Sequence, residues 1–371
     1  MPRPIQAYIH LDALKHNLQR IKQARADERI WAVVKANAYG HGIENIFPAL
    51  KGADGFALLD LEEAHRLRQL GWRGPILLLE GAFEPRDLET CSRLGLTHAV
   101  HRTEQIDWLA QHKTNVPHNI FLKMNSGMNR LGFKPEHYRS AWARLNSLPQ
   151  VGEISHMTHF SDADGHRGVA YQVQAFHAAT CDLPGERCLC NSAGSLAHPE
   201  VANDWCRAGI ALYGASFDYP SHTAQDWGLL PAMTLQSQII GIQHLQPGDT
   251  VGYGSTYTAQ RPMRIGIVAC GYADGYPRIA PSGTPILVNG IRTQTIGRIS
   301  MDMMVADITD IPSAQPGSTV TLWGQYPHHG DQASTLSIDE VAQCAGTISY
   351  ELMCALAARI PVSTTYNNSG F

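Results

Sequence analysis

The stretch Ile30-Trp31-Ala32-Val33-Val34-Lys35-Ala36-Asn37-Ala38-Tyr39-Gly40-His41-Gly42 decides the architecture. An apolar, partly β-branched run that ends in a Gly-containing turn is the pattern of a buried strand. Lys35 then stands where the strand leaves the core. Burial there can strip its proton and make the amine a nucleophile toward a carbonyl. The plainer reading is a lysine that snorkels from a strand end to water, and for one lysine alone that is the commoner outcome.

Outward from this stretch the chain keeps a rhythm. Strand-like runs stand at Gly55–Leu59, Pro75–Leu79, His98–Val100, Asn119–Met124, Glu153–His159 and Arg187–Asn191, with a short one at Trp205–Arg207. Helical patterns lie between them, at Leu61–Leu70, Arg86–Leu94, Thr103–His112, Glu136–Ser147 and Val169–Cys181. With the opening run this makes about eight βα units, which predicts an α/β fold, a (β/α)₈ TIM-like barrel. A doubly wound open sheet competes, but no GxGxxG fingerprint opens the first unit. Upstream, Ala7-Tyr8-Ile9-His10-Leu11 reads as a short strand and Asp12 as the N-cap of a helix to about Lys22. Near Pro231 strand and turn signals take over, from Thr234–Ile242 to Val320–Trp323, with helical pattern returning only at Ser337–Cys344 and after Ile348. The expected division is a barrel domain, 1–230, and a mainly-β domain, 231–371. The polar tail Ser363–Phe371 is expected to be loose.

The bulk numbers narrow the function. At 371 residues, 44 % apolar and 17 % charged, the composition is that of a soluble globular protein. A net charge of −4 without long single-sign runs points to neither nucleic acid nor an anionic membrane. No stretch reaches the roughly 20 apolar residues of a membrane span, and the N-terminus carries no signal-peptide pattern, so a cytoplasmic location is expected. The eight cysteines form no CxxC pair and are expected to be reduced and mostly buried.

Barrel sites lie at the C-terminal ends of the strands, and several notable residues fall there. Lys35 and Tyr39 follow the first strand, Lys123 ends the fifth, His159 the sixth, Asn191-Ser192-Ala193-Gly194 the seventh and Arg207-Ala208-Gly209-Ile210 the eighth. Loops after the last two strands often bind phosphate. Each piece alone is weak. A phosphate cradle opposite a buried lysine suggests pyridoxal phosphate, whose aldehyde forms a Schiff base with lysine.

These residues resemble a known family. The string Val33–Gly42 is similar to the cofactor-attachment signature of bacterial alanine racemases. Lys123-Met124-Asn125-Ser126-Gly127-Met128-Asn129-Arg130-Leu131-Gly132, Met157-Thr158-His159-Phe160 and Arg207-Ala208-Gly209-Ile210 match as well. So do Val251-Gly252-Tyr253-Gly254, Gly271–Arg278 and Gly297–Asp302, in the same order through nearly the whole chain. The resemblance implies interconversion of L- and D-alanine on pyridoxal 5′-phosphate, in a homodimer whose sites are each completed by the partner's β domain. It implies that the first strand, about 4–10, pairs with that β domain. Lys35 would hold the cofactor and act as one base, with Tyr253 of the partner subunit as the other.

Two bases suit the chemistry. Racemisation removes the α-proton from one face and returns it to the other, and a phenol with an ordinary pKa of about 10 needs help to take part. The resemblance assigns that help to His159 and Arg207. It also sets Arg207 at the pyridine nitrogen, where an arginine cannot accept a proton as an aminotransferase carboxylate does. That favours racemisation over transamination.

By the same resemblance Arg130 binds the substrate carboxylate through its planar fork, assisted by the Met301 backbone. Lys123 stands where many members carry a carbamylated lysine (N6-carboxylysine). Tyr39, Ser192, Gly209, Ile210 and Tyr350 match phosphate contacts, and His159, Asn191 and Arg207 the rest of the cofactor site. Asp164, Tyr272, Arg278, Arg298 and Ile348 match an entryway, with Tyr253 and Tyr350 as its inner gate. Ser300 departs slightly, standing where some relatives have cysteine. The product would serve peptidoglycan synthesis or alanine catabolism. The rivals are a broader-specificity racemase, a decarboxylase on the same barrel and a non-enzymatic carrier of the cofactor. The first usually has a leader, the second a Gly-rich phosphate motif absent here, and the third no β domain.

Other patterns have plain readings. Asp162-Ala163-Asp164-Gly165 lacks the later ligands of a calcium loop and reads as a turn. The spacings His156/His159 and His98/His101 do not converge on a metal when carried on strands or short turns. His328-His329 reads as a surface loop.

Overall fold

The computed structural model describes residues 3–326 and 334–366. They fall into two compact units, one formed by Lys15–Ala38 and Gly42–Leu212, the other by the remaining described residues.

The chain opens with β1 (Gln6–His10) and α1 (Leu11–Ala24). The strands of the first unit follow: β2 (Arg29–Val33), β3 (Gly55–Leu58), β4 (Ile76–Leu78), β5 (Thr97–Val100), β6 (His118–Lys123), β7 (Val151–Met157), β8 (Arg187–Cys188) and β9 (Trp205–Ala208). They pair in parallel in the order β9-β2-β3-β4-β5-β6-β7-β8. The sheet closes because Asp204 N–H donates to Arg187 O and Arg207 N–H to Cys190 O, both at 2.9 Å. A closed eight-stranded parallel sheet wrapped by helices is the TIM-like barrel that the βα rhythm predicts.

The strands read as unbroken apolar runs because both their faces are covered, as the wholly buried β3, β4 and β9 show. Inside, Trp31 and Trp205 stack at 4.1 Å between ring centroids. Around the barrel lie α2 (Ile43–Leu50), α3 (Leu61–Gln69), α4 (Asp87–Leu94), α5 (Thr103–Gln111), α6 (Pro135–Asn146), α7 (Ala170–Thr180) and the short α8 (Ser192–Ala197). Local chemistry sets their ends. Asp60 accepts from Glu62 N–H at the start of α3, and Gly95, at φ 59°, stops α4. β8 is shorter than the run Arg187–Asn191 predicts. At Leu189 the backbone N–H turns to a side chain, donating to Asn203 Oδ1 at 2.7 Å, and only Cys190 O beyond it returns to the neighbouring strand, accepting from Arg207 N–H.

The second unit is built from β10 (Met233–Leu245), β11 (Thr250–Val251), β12 (Tyr257–Thr258), β13 (Met263–Val268), β14 (Pro285–Val288), β15 (Ile291–Ile296), β16 (Met304–Asp307), β17 (Thr319–Gln325), β18 (Thr335–Leu336) and β19 (Val362–Thr365), with helices α9 (Ile338–Cys344) and α10 (Ser349–Cys354). Six strands form a closed antiparallel ring, β10-β17-β14-β15-β16-β13 and back to β10. β10 can serve two neighbours because it is long and carries register shifts at Leu235/Gln236 and Ile239/Gly241. β1 pairs antiparallel with β10 and parallel with β19. The tail therefore differs from expectation: residues 362–365 are a strand held by β1, which satisfies their backbone groups despite a polar sequence. His328-His329 and residues 367–371 lie outside the described residues.

Candidate active site

The lysine of the opening stretch sits at the start of an unusual turn. Ala36, Asn37 and Ala38 have φ/ψ near 55°/50°, and Tyr39 has φ 50°, so four consecutive non-glycine residues are left-handed. Each L-residue costs roughly 1–2 kcal/mol in this conformation, asparagine less. Surrounding bonds hold it. Asn37 N–H donates to Glu63 Oε1 at 2.7 Å, and Asn37 Oδ1 accepts from Arg66 Nη2 at 2.8 Å. Ala38 N–H reaches back to Val34 O at 2.8 Å, and Gly42 N–H to Asn37 O at 2.9 Å. The sequence shows a Gly-containing turn; strain carried by its non-glycine residues is visible only in three dimensions. Such strain concentrates at functional sites.

The barrel rim gathers positive charge. Lys123 closes β6 and is buried. Burial first, then Arg207, Arg130 and Lys35, lower its pKa to about 8, opposed by Glu80. His159 follows β7 and is held neutral, its pKa driven well below the imidazole range by burial and by Arg207, Arg130, Lys123 and Lys35. Arg207, Arg130 and Lys35 therefore all lie within electrostatic reach of both Lys123 and His159, at one end of the parallel strands. Arg207, on β9, is buried and donates to Cys188 O at 2.7 Å, Thr158 O at 2.8 Å, Leu189 O at 3.1 Å and His159 Nδ1 at 3.3 Å. An imidazole that accepts at Nδ1 keeps its proton on Nε2, a tautomer assigned from this bond.

Arg130 is exposed on the loop after β6. Asn125 braces that loop, its Oδ1 accepting from Asn129 N–H at 2.9 Å and Gly127 N–H at 3.3 Å. Phe133 N–H to Lys123 O closes its base at 2.9 Å. Asn191 caps α8 by accepting from Gly194 N–H at 2.9 Å. Ser192 Oγ accepts from Gly209 N–H at 2.9 Å and Ala211 N–H at 3.4 Å, so the loops after β8 and β9 meet there. Cations, a hydroxyl and backbone N–H groups form a donor set suited to a phosphate dianion and a carboxylate. On these grounds the barrel residues fit pyridoxal phosphate.

In the second unit Tyr39 is buried, stacks on Tyr213 at 4.6 Å and tilts toward Tyr350 at 5.9 Å. Burial foremost keeps its hydroxyl protonated, a neutral donor. Tyr253 opens the turn Tyr253–Ser255 and is 70 % exposed. A Cβ on Gly254 (φ 71°) would fall 2.8 Å from Arg298 Nη1, so the glycine leaves room for that guanidinium. Arg278 lies over the Tyr272 ring at 5.9 Å. Tyr272 N–H donates to Ser300 O and Ala273 N–H to Met301 O. The buried carboxylate of Asp274 takes Arg359 Nε at 2.7 Å and Arg3 Nη2 at 3.2 Å, which ties these loops together. Ile348 and Asp164 are exposed, the latter in the barrel unit.

Sequence reasoning missed Glu63, Glu80 and Gln172. Glu80 follows β4, so the strand-end rule could have found it. Gln172 is fully buried and donates to Ser126 Oγ and His159 O while accepting from Ser161 N–H, and no motif announces it. His156 has structural partners, Tyr138 OH and Pro184 O, each at 2.9 Å. The 162–165 segment is a turn in which Asp162 accepts from Arg167 N–H.

Comparison with known proteins agrees with this geometry. The model of the alanine racemase N-terminal domain matches residues 9–217, and that of the C-terminal domain matches 232–364. The chain belongs to the alanine racemase family. It is 68 % identical to an alanine racemase of Acidovorax sp. (strain JS42) over 365 residues, 98 % of this chain and 99 % of the relative. An alanine racemase of Paracidovorax citrulli is 66 % identical, over 98 % of this chain and 99 % of that one. Among solved structures, the biosynthetic alanine racemase from Pseudomonas aeruginosa superposes with a TM-score of 0.93 at 43 % identity, covering 98 % of this chain and all of that one. The alanine racemase from Acinetobacter baumannii gives 0.90 at 37 %, with the same coverage. As a member of the alanine racemase family the chain is an isomerase.

Proposed function

We propose that this enzyme interconverts L- and D-alanine by a two-base mechanism on pyridoxal 5′-phosphate, in a homodimer. The observation that carries the cofactor reading is the cationic rim of Lys35, Lys123, Arg130 and Arg207 around a neutral His159. When bound, the cofactor supplies an electron sink that acidifies the α-proton of an attached amino acid. Lys35 holds it through its amine; Ser192, Gly209 and Ile210, with Tyr39 and Tyr350, take the phosphate; His159, Asn191 and Arg207 complete the site. Arg207 can only donate, so it leaves a ring nitrogen unprotonated.

Arg130 orients the alanine carboxylate, with the partner subunit's Met301 assisting through its backbone. A lowered pKa leaves part of the Lys123 population neutral near pH 7, the form that reacts with carbon dioxide. Carbamylation turns this cation into an anion that steadies Arg130. Lys35 moves the α-proton on one face, and the partner subunit's Tyr253 on the other. Tyr253, Met301 and Ile348 are exposed, which leaves them accessible to a partner chain as a shared site requires. Asp164, Tyr272, Arg278, Arg298 and Ile348 line the approach.

The deciding experiment is purification, an absorbance spectrum for the lysine–cofactor linkage, and a coupled assay with each enantiomer. Turnover of both enantiomers with a bound chromophore is expected. A colourless protein inactive on both would refute the reading.

A further inference from the structure

At the end of α1, Arg25 is buried, and each of its five N–H donors meets an oxygen. Nε donates to Ser195 O at 2.9 Å. Nη1 reaches Glu28 Oε1 at 3.1 Å and Val201 O at 3.0 Å. Nη2 reaches Gly194 O at 2.7 Å and His198 O at 2.5 Å. Four of the five acceptors are carbonyls of α8 and the segment just after it.

The first residue of α8 is Ser192, whose hydroxyl gathers the N–H groups of Gly209 and Ala211. A helix of six residues has little stability of its own, so its anchors decide where it stands. The Gly194 and Ser195 carbonyls lie two and three residues past Ser192, about 3–5 Å along the helix axis, so Arg25 grips the helix close behind that hydroxyl.

We propose that Arg25 is a positioning residue for the phosphate end of the cofactor site. By saturating the carbonyls of α8 it fixes the helix from behind, and so sets the Ser192 hydroxyl against the Gly209–Ala211 backbone. This rests on the reading of that loop pair as the phosphate contact. A lysine could replace at most three of the five bonds, and without the planar fork.

The test compares two probes on the cofactor-free full-length enzyme, pyridoxal phosphate and pyridoxal, which lacks the phosphate. In Arg25→Lys the affinity for pyridoxal phosphate should fall by about tenfold or more, as for the loss of one or two hydrogen bonds to a charged group. The affinity for pyridoxal should stay within about twofold of wild type. Equal losses for both probes would mean general loosening and overturn the proposal, as would no loss for either. A wild-type enzyme that binds both probes equally would instead overturn the cradle reading. Should the variant fail to fold, hydrogen exchange on the wild type with inorganic phosphate decides. Protection that extends from 192–198 to the Arg25–Glu28 turn supports the proposal, and protection confined to Ser192 and 209–211 overturns it.

Discussion

At Lys123, burial and three neighbouring cations act in the same direction, and only Glu80 opposes them. The folded-state pKa of about 8 lies below the ordinary 10.5, so the unfolded chain binds the proton first as pH falls. Stability is therefore lost between about pH 10.5 and 8, and the full cost, on the order of 3 kcal/mol, is present below that window. Lys123→Met should make the cofactor-free protein more stable at pH 7 by about 1–3 kcal/mol, with the gain vanishing toward pH 10.5. Denaturant unfolding in bicarbonate-free buffer measures this, and an unchanged stability at pH 7 would contradict the like-charge account. Activity should fall in the same variant. For Tyr253, replacement by Phe should slow α-proton exchange by about 10²–10⁴ on one face only. Deuterium uptake from solvent into each enantiomer reads the faces separately, and equal losses would rule out two bases.

Two elements carry predictions of their own. The left-handed turn after β2 has an exposed alanine at its first strained position, Ala36. Ala36→Gly should stabilise the fold by about 0.5–1 kcal/mol, because glycine meets no Cβ penalty there. Asn37→Ala should cost about 1–3 kcal/mol, since it removes the acceptor that Arg66 and Ile43 N–H use. Thermal unfolding separates the two signs. On the neighbouring strands β5 and β6, His98 Nε2 meets His118 Nδ1 at 3.2 Å, with Ser92 Oγ and His112 beside them. Burial first, with His118 and His112 adding, lowers His98 to about 3; burial and His112 lower His118 to about 4. The unfolded histidines protonate near 6.5, so this pair withdraws stability as pH drops from about 6.5 toward 4. His98→Leu should flatten the stability profile in that window, and a profile as steep as wild type would show that other groups drive acid unfolding.

For the whole molecule, the proposed shared site has a direct consequence. Inactive Lys35→Ala and Tyr253→Phe chains, mixed in equal amounts and allowed to exchange, should regain activity in roughly a quarter of their sites. Each hybrid dimer would hold one site with both bases intact. Exchange shown by mass spectrometry without recovered activity would exclude a site built from two subunits.

Much of this was legible in the chain. Apolar runs alternating with helical pattern determined a barrel, because parallel strands covered on both faces must be apolar throughout. The strand-end rule placed Lys35, Lys123, His159 and Arg207 on one rim, since a parallel barrel sends every strand's C-terminus to the same end. Resemblance added Arg130 and Tyr253, whose loops carry no general signal. The tertiary structure decided what depends on partners distant in sequence. Residues 362–365, three of them polar, became a strand because β1 supplied their hydrogen bonds. The β-domain strands closed into a ring because one long strand bends at two register shifts to serve two neighbours. Ala36, Ala38 and Tyr39 accepted left-handed geometry because Glu63 and Arg66 hold Asn37 between them. Local sequence carries periodicity and turn chemistry; the energy that holds a strained turn or a cation-rich rim in place comes from contacts that form only when the chain folds.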